Sequence, residues 1–471
     1  MIAGLKPYAE YKDSGLPWLG QVPVHWEIVR SKRLFSARKD LARPDDLQLS
    51  ATQAYGVIEQ AEFERRSGHR VVKISMHLDK RKHVDKDDFV ISMRSFQGGI
   101  ERAWSSGAIR SSYVVLKPGP DVNASYFQYA LKSSGYIRAL QATGDFIRDG
   151  QDLNFANFVR VDLPSIPVDE QAAIGRFLDW ANGRLERAIR AKRKVIALLT
   201  EQKQAIIRRA VTRGLDTTSP LKASGISWLG DIPAHWDVWR ISRFARVGNG
   251  STPSRAKPSY WNGGTYPWLN SSQVNRSYID RAEQFITRTA LRECHLPRVP
   301  TGSVLVAITG QGKTRGMSAQ LGIEATINQH LAFITPQLPV VSTEYLHLAL
   351  SAAYPQLRAI SDDTGSTKGA LTCEDLKRFK LALPPPHEQA ELVERVRTET
   401  RTISDAGERL EREIDFLREY RTRLVADVVT GKLDVREVAA QLPEVAAAGI
   451  DAEPDDEADD PELIDEEVTE A

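Results

Sequence analysis

Two cysteines, Cys294 and Cys373, are all that 471 residues contain. They are too few for a disulfide framework and have no metal-ligand spacing. No apolar run is long enough to span a bilayer, and the first residues lack the order of a signal peptide. The expected location is therefore cytoplasmic. Catalytic signatures are missing too. There is no Gly-x-x-x-x-Gly-Lys-Ser/Thr loop, no Gly-x-Gly-x-x-Gly after a strand, no His-Glu-x-x-His and no Gly-x-Ser-x-Gly. The Asn/Asp-Pro-Pro-aromatic tetrapeptide with which an adenine methyltransferase grips an extruded base is also absent. Glu201-Gln202-Lys203 has a nuclease-like pattern, but within a helix an i,i+2 pair splays apart. These absences argue for a chain that binds rather than catalyses.

The net charge of +1 hides an asymmetry. Residues 451–471 hold twelve acids and no base, which leaves 63 basic against 50 acidic residues on the rest. A basic body points to a polyanionic partner. An ordinary, mildly basic surface is the plainer alternative. Residues 435–471, Ala-rich and then acidic, cannot bury a core and are expected to be a disordered tail.

Two repeats organise the chain. Tyr11-Lys12-Asp13-Ser14-Gly15-Leu16-Pro17-Trp18-Leu19-Gly20-Gln21-Val22-Pro23-Val24-His25-Trp26 returns 210 residues later as Leu221 to Trp236. Pro167-Val168-Asp169-Glu170-Gln171 returns 218 residues later as Pro385-Pro386-His387-Glu388-Gln389, and each copy opens a long helical stretch. Those stretches end alike, at Val211-Thr212-Arg213-Gly214-Leu215-Asp216 and at Val429-Thr430-Gly431-Lys432-Leu433-Asp434. Proline before the start and glycine near the end punctuate a helix. The apolar residues between keep a three-four spacing, the mark of a coiled-coil seam. In the first copy they are Ile174, Leu178, Ala181, Leu185, Ala188, Val195, Leu199 and Ile206. In the second they are Leu392, Val396, Ile403, Ala406, Leu410, Leu417, Tyr420 and Leu424. Lys192 and Gln202, Glu399 and Glu413 interrupt the seam, and opposite charges there can pair across helices and set register. Roughly 45 residues at 1.5 Å each make a rod of about 65 Å. Trp18, His25, Trp26 and their copies Trp228, His235 and Trp236 are read as packing residues. No candidate nucleophile recurs beside them.

The regions between opening segment and rod, about 28–165 and 238–383, differ in sequence. Residues 89–93, 112–116, 302–308 and 331–334 read as strands, and 125–141 and 343–360 as helical. Each region is thus a mixed α/β domain. The expected boundaries are 1–166 and 217–384 for the domains with their opening segments, 167–216 and 385–434 for the rods, and 435–471 for the tail.

Both regions carry side chains suited to DNA. In the first these are Lys80, Arg81, Lys82, Arg94, Ser95, Gln97 and Arg102. In the second they are Ser251, Thr252, Arg255, Lys257, Ser272, Gln273, Thr309, Gln311, Lys313, Arg315, Asn328, Gln329 and Lys368. Arg and Lys pair with guanine edges, Asn and Gln with adenine edges, and Ser and Thr reach bases or phosphates. Solvated loops remain the plainer reading for any one of these residues.

This layout resembles the specificity subunit of a type I restriction–modification system, over about residues 10–434. The marks are the doubled Trp-Leu-Gly-x-x-Pro-x-His-Trp, the doubled Pro-x-x-Glu-Gln, and the helix end Val-Thr-x-x-Leu-Asp. The run from Ser251-Thr252-Pro253-Ser254 through Tyr260-Trp261-Asn262-Gly263-Gly264 to Pro267-Trp268 resembles the start of that family's target-recognition domain, as does Thr326-Ile327-Asn328-Gln329. The resemblance implies an α+β fold: two mixed α/β target-recognition domains joined by two long antiparallel coiled-coil helices in a pseudo-twofold tandem repeat. Each domain would read half of a bipartite, gapped site, and the rod would set the gap. The N-terminal opening segment would close against the far end of the second helix. Methyltransferase subunits, two of them, would bind S-adenosylmethionine, and motor-nuclease subunits would use ATP and Mg. This chain itself would hold no cofactor and no metal. A fused enzyme and a protein-only scaffold are the rival readings.

Overall fold

The computed structural model describes residues 5–68, 70–71, 80–92, 95–144, 154–216, 218–310, 313–362 and 369–443. Contacts divide the chain into two units, 1–192 with 412–471, and 193–411. The long helices are Val168–Arg213 and Pro386–Val429. Each ends on a glycine in the left-handed region, Gly214 and Gly431 at φ +72° and +74°, where a side chain would be strained.

In the first unit the opening segment makes an antiparallel hairpin, Tyr11–Asp13 with Gln21–Pro23. Glu27–Val29 then pairs with Leu163–Ser165, the strand that leads into the first long helix. Between them lies a four-stranded sheet in the order Phe35–Ala37, Val114–Pro118, Phe89–Ile91, Glu101–Arg102. The helical stretch expected at 125–141 is two helices, Ala124–Ala130 and Ser134–Gln141. Ser133 breaks it, because its hydroxyl accepts from the Tyr136 amide and caps the second helix. Trp26, Phe35, Phe89, Phe127, Phe158 and Phe177 form the core with Leu424 and Val428 of the second long helix.

The second unit repeats the plan. Leu221–Ala223 pairs with Asp231–Pro233, and Asp237–Arg240 with Lys380–Leu383. Its main sheet has five strands, in the order Ala245–Asn249, Leu331–Pro336, Ser303–Ala307, Ser318–Leu321, Tyr278–Ile279. Trp236, Phe244, Val304 and Val306 pack with Ile207, Ala210 and Val211 of the first long helix and Leu392 and Val396 of the second. The expected strands at 302–308 and 331–334 are Ser303–Ala307 and Leu331–Pro336.

The two long helices run antiparallel. In the first unit Lys192 pairs with Glu413 and Glu186 with Arg421. In the second, Lys203 Nζ donates to Ser404 Oγ at 2.9 Å. Leu178, Val396 and Leu424 are buried, and Leu185, Leu199, Ile206, Ile403, Leu410 and Leu417 are half-buried. Val195 is a correction: it is 44% exposed, while Ile189 is buried and Ile196 half-buried. The first helix takes a four-residue step from Leu185 to Ile189 where a three-residue step to Ala188 was expected. The next inward position shifts likewise, from Val195 to Ile196, whereas Leu199 and Ile206 stay half-buried where expected. Adjacent Val195 and Ile196 fit either phase by composition, and 3.6 residues per turn decides between them. The tail needs correction as well. Arg436–Gln441 is a helix, with Val435 and Ala439 buried in the first unit's core. An i,i+4 apolar pair gives it one face to bury.

Candidate nucleic-acid interface

The doubled motifs meet at two joints. In the first unit Trp26 Nε1 donates to Glu170 Oε1 at 3.0 Å, His25 Nε2 lies 2.8 Å from Oε2, and the Tyr8 hydroxyl donates to Oε1 at 2.6 Å. Burial first, and then this bond to Glu170, raise the Tyr8 pKa and keep its phenol protonated. In the second unit Trp236 Nε1 donates to Glu388 at 3.0 Å and His235 Nε2 lies 2.8 Å from Glu388 Oε2. The neighbouring glutamines act in parallel. Gln171 Nε2 donates to the carbonyls of Asp121 and Ile166 and its Oε1 accepts from the Asn123 amide, at 2.7–2.8 Å. Gln389 does the same with Val340, Pro384 and Ser342, at 2.7–2.9 Å. Pro-x-x-Glu-Gln therefore locks opening segment, recognition domain and long helix together. In the first unit the Asp434 amide also donates to the Lys6 carbonyl at 2.7 Å, and Tyr11 Oη donates to the Lys432 carbonyl at 3.1 Å. The N-terminal segment thus lies against the end of the second long helix.

The main sheet of the second unit gathers its loops at one end. Asn249 pairs with Ala332 and Ala307 with Leu331, so the loops after Asn249 and Ala307 and the turn before Leu331 emerge together. Gly250 brings the first loop in close. A Cβ there would sit 1.8 Å from the Ile327 carbonyl oxygen, which only glycine avoids. Two tryptophans hold the rest of that loop: Trp268 Nε1 donates to the Ser251 carbonyl at 3.3 Å and Trp261 Nε1 to the Ser254 carbonyl at 3.1 Å. Arg255 then lies over the Trp261 ring at 3.7 Å and donates to Gln284 Oε1 at 2.7 Å. Its exposed guanidinium is stacked and oriented. Lys257 is drawn onto Glu293 and the Tyr260 hydroxyl, and those hydrogen bonds raise its pKa.

A polar chain crosses the gathered loops. Thr252 Oγ1 donates to Gln329 Oε1 at 2.7 Å. Gln329 Nε2 lies 3.1 Å from His330 Nε2, and His330 Nδ1 lies 2.6 Å from Thr309 Oγ1. Thr252 and Gln329 are exposed, and Thr309 and His330 are half-buried. Lys313 is exposed nearby in sequence, and its carbonyl accepts from the Tyr354 hydroxyl at 2.7 Å. His330 was not among the expected residues; its only sequence signal is its place between Asn328-Gln329 and a strong strand.

Other expected residues serve the fold. Asn328, Gln273 and Arg315 are buried. Asn328 Oδ1 accepts from the His330 amide at 3.1 Å, and Arg315 Nη1 donates to the Gly369 carbonyl at 2.6 Å. Ser272 donates its amide and its hydroxyl to Asn270 Oδ1, which caps a turn. In the first unit Ser95 is buried, with its hydroxyl accepting from the Ser92 amide. Arg81 is buried, and burial and then nearby Arg110 lower its pKa. Burial lowers the Lys82 pKa as well, and its ammonium donates to the Tyr113 carbonyl at 2.6 Å. Arg102 pairs with Asp87 at 2.6 Å and lies 4.3 Å over the Trp104 ring. Burial removes Ser95, Arg81, Gln273, Arg315 and Asn328 from a surface that a duplex could touch, so these five are corrections. Lys80 and Gln97 are exposed. Arg94, Gln311 and Lys368 lie outside the described residues.

A family model described as type I restriction modification DNA specificity domain matches residues 233–412. Over 167 residues the chain is 34% identical to the type I restriction enzyme MjaIX specificity subunit of Methanocaldococcus jannaschii, covering 35% of this chain and 38% of that protein. Over 168 residues it is 26% identical to the EcoR124I/EcoR124II specificity subunit of Escherichia coli, covering 36% of this chain and 41% of that one. The matched stretch thus spans about two fifths of either relative's length. A solved chain from work on complex assembly and conformational transition of the type I R-M system shares the fold. It has a TM-score of 0.57 at 15% identity, over 87% of this chain and 98% of that one. Among the described residues no helix is long and apolar enough to cross a membrane. Residues 233–412 thus match a type I restriction modification DNA specificity domain, and the chain shares its fold with a solved chain from a type I R-M system.

Proposed function

We propose that this chain is the non-catalytic, DNA-reading component of a type I restriction–modification complex, with each recognition domain reading one half of a gapped site. The carrying observation is the second unit's loop cluster. One end of one sheet gathers Thr252, Thr309 and Gln329, and the loops that carry them also carry the exposed Arg255 and Lys313; these supply the donor and acceptor types that base edges and phosphates require. The antiparallel long helices set the separation of the half-sites. Two half-sites about one turn apart need roughly 34 Å between readers, within the span of a helix of about 65 Å. Partner methyltransferase subunits, two of them, dock on the chain, bind S-adenosylmethionine and methylate an extruded adenine. Motor-nuclease subunits that use ATP and Mg cleave unmodified DNA. The relatives' names, type I restriction enzyme specificity subunits, support this division of labour.

The test is to co-express the chain with a type I methyltransferase subunit and map methylated adenines by long-read sequencing. A bipartite motif with a fixed gap is expected, and exchanging residues 238–383 should change one half-site only. An ungapped palindrome would overturn the two-reader reading. Duplex binding that does not weaken with salt would count against phosphate contacts.

A further inference from the structure

The amide of Gln329 is placed with its oxygen toward Thr252 and its nitrogen toward His330. Gln329 Oε1 accepts from Thr252 at 2.7 Å, which directs Nε2 toward the His330 ring, 3.1 Å from its Nε2. An amide nitrogen only donates, so the imidazole Nε2 must accept. The proton of the neutral ring then sits on Nδ1 and donates to Thr309 Oγ1 at 2.6 Å. The His330 backbone is held on both sides. The His330 amide donates to Asn328 Oδ1 at 3.1 Å, and its carbonyl accepts from the Ile308 amide at 2.9 Å. The hydrogen bonds therefore run in one direction, from Thr252 through Gln329 and His330 to Thr309.

One lone pair on Oε1 and one proton on Nε2 remain uncommitted among the described residues, on a side chain that is exposed. An acceptor beside a donor is the set that pairs with adenine N6 and N7 in the major groove. Turning the amide over would exchange their order and break the match.

We propose that His330 is a positioning residue that fixes the orientation of the Gln329 amide, and that Gln329 thereby selects adenine at one base pair of the half-site read by the second domain. This rests on the proposed DNA-reading function and goes beyond it in naming the base and the device that selects it. His330 touches Gln329 and not the DNA.

The test uses the full chain with its methyltransferase partner on a library of randomised sites, read by long-read methylation mapping. Gln329→Ala is expected to relax one position, specified as adenine in the wild type, by about tenfold in discrimination, the scale of one lost bidentate contact. His330→Phe should relax that same position while the other half-site keeps its preference. His330→Gln, which retains an acceptor, should restore it. Thr309→Val removes the Nδ1 partner without touching the ring and should relax the same position, which keeps the test alive if His330→Phe fails to fold. An unchanged motif in His330→Phe and Thr309→Val overturns the proposal. So does relaxation at a position different from that of Gln329→Ala, or a uniform loss across the site. If the wild-type chain yields no gapped motif at all, the failure lies with the functional reading, not with the His330 assignment.

Discussion

Glu170 and Glu388 hold the same place in the repeat, yet one collects three side-chain donors and the other two. Tyr8 makes the difference: its hydroxyl reaches Glu170, and the segment that carries it also touches Lys432 through Tyr11 and Asp434 through Lys6. The first joint is closed between distant parts of the chain. The second joins an opening segment to a helix end that precedes it directly, since Trp236 lies only 22 positions beyond Gly214, whose backbone it packs against. Burial follows suit. The Glu170 side chain is 3% exposed and that of Glu388 18%. A contact that sequence continuity does not hold in place has been given more bonds and less water.

Four experiments can break or sharpen this contrast. The largest effect is expected at the glutamates. Glu170→Ala strands an indole, a phenol and an imidazole and should cost about 4 kcal/mol in denaturant unfolding, against about 2 for Glu388→Ala, at ~1–3 per buried donor left unmade. Equal losses would mean that the extra donor and the deeper burial do nothing. Next come Gln171→Ala and Gln389→Ala, which remove matching sets of three backbone contacts and should cost the same, about 2 kcal/mol each. Unequal costs would place the asymmetry in the recognition domains instead of at Tyr8. Tyr8→Phe comes third, at about 1 kcal/mol. In a double-mutant cycle with Glu170→Gln it should show coupling, which additivity would refute.

The smallest effect is a pH slope of opposite sign in the two units. In the first, burial disfavours charge on His83, but hydrogen bonds to Asp46 and Asp85 outweigh it and the pKa is raised. Its stabilisation is complete below the unfolded value of about 6.5 and is lost as pH rises through the folded value. In the second unit burial lowers the His347 pKa. Its penalty appears as pH falls below about 6.5 and grows toward the folded value. Each slope is at most about 1.4 kcal/mol per pH unit. Asp46→Asn should flatten the first in pH-dependent unfolding and leave the second intact.

The frame was legible in the sequence because short motifs with fixed proline, glycine and tryptophan recur there at constant shifts. Their partners were not, since Trp26 meets an acid 144 residues away. Doubling pointed to a packing role, and only the fold shows that Glu170 and Glu388 are the receivers. The seam was read with the right period and a local slip of one residue, at Ile189 and Ile196. The candidate interface was legible by loop but not by side chain. Ser95, Arg315 and Asn328 have the right chemistry and face inward, because burial depends on which strand ends the sheet brings together. His330 went unnoticed because a lone histidine carries no pattern.

The adjacent Glu and Gln at each helix start grip both margins of a recognition domain on a single helical turn. Whatever chain lies between those margins is a closed loop, and the length of a closed loop is cheap to change: doubling it costs only about 0.6 kcal/mol in closure entropy. The two copies have already diverged in this respect. The indole-to-carboxylate bond spans 144 residues in one and 152 in the other, with the same atoms at the same 3.0 Å. Eight residues have been taken up inside the second domain without moving its fastening. Domains held this way can lengthen, shorten and be replaced while the joint that fastens each one keeps its geometry.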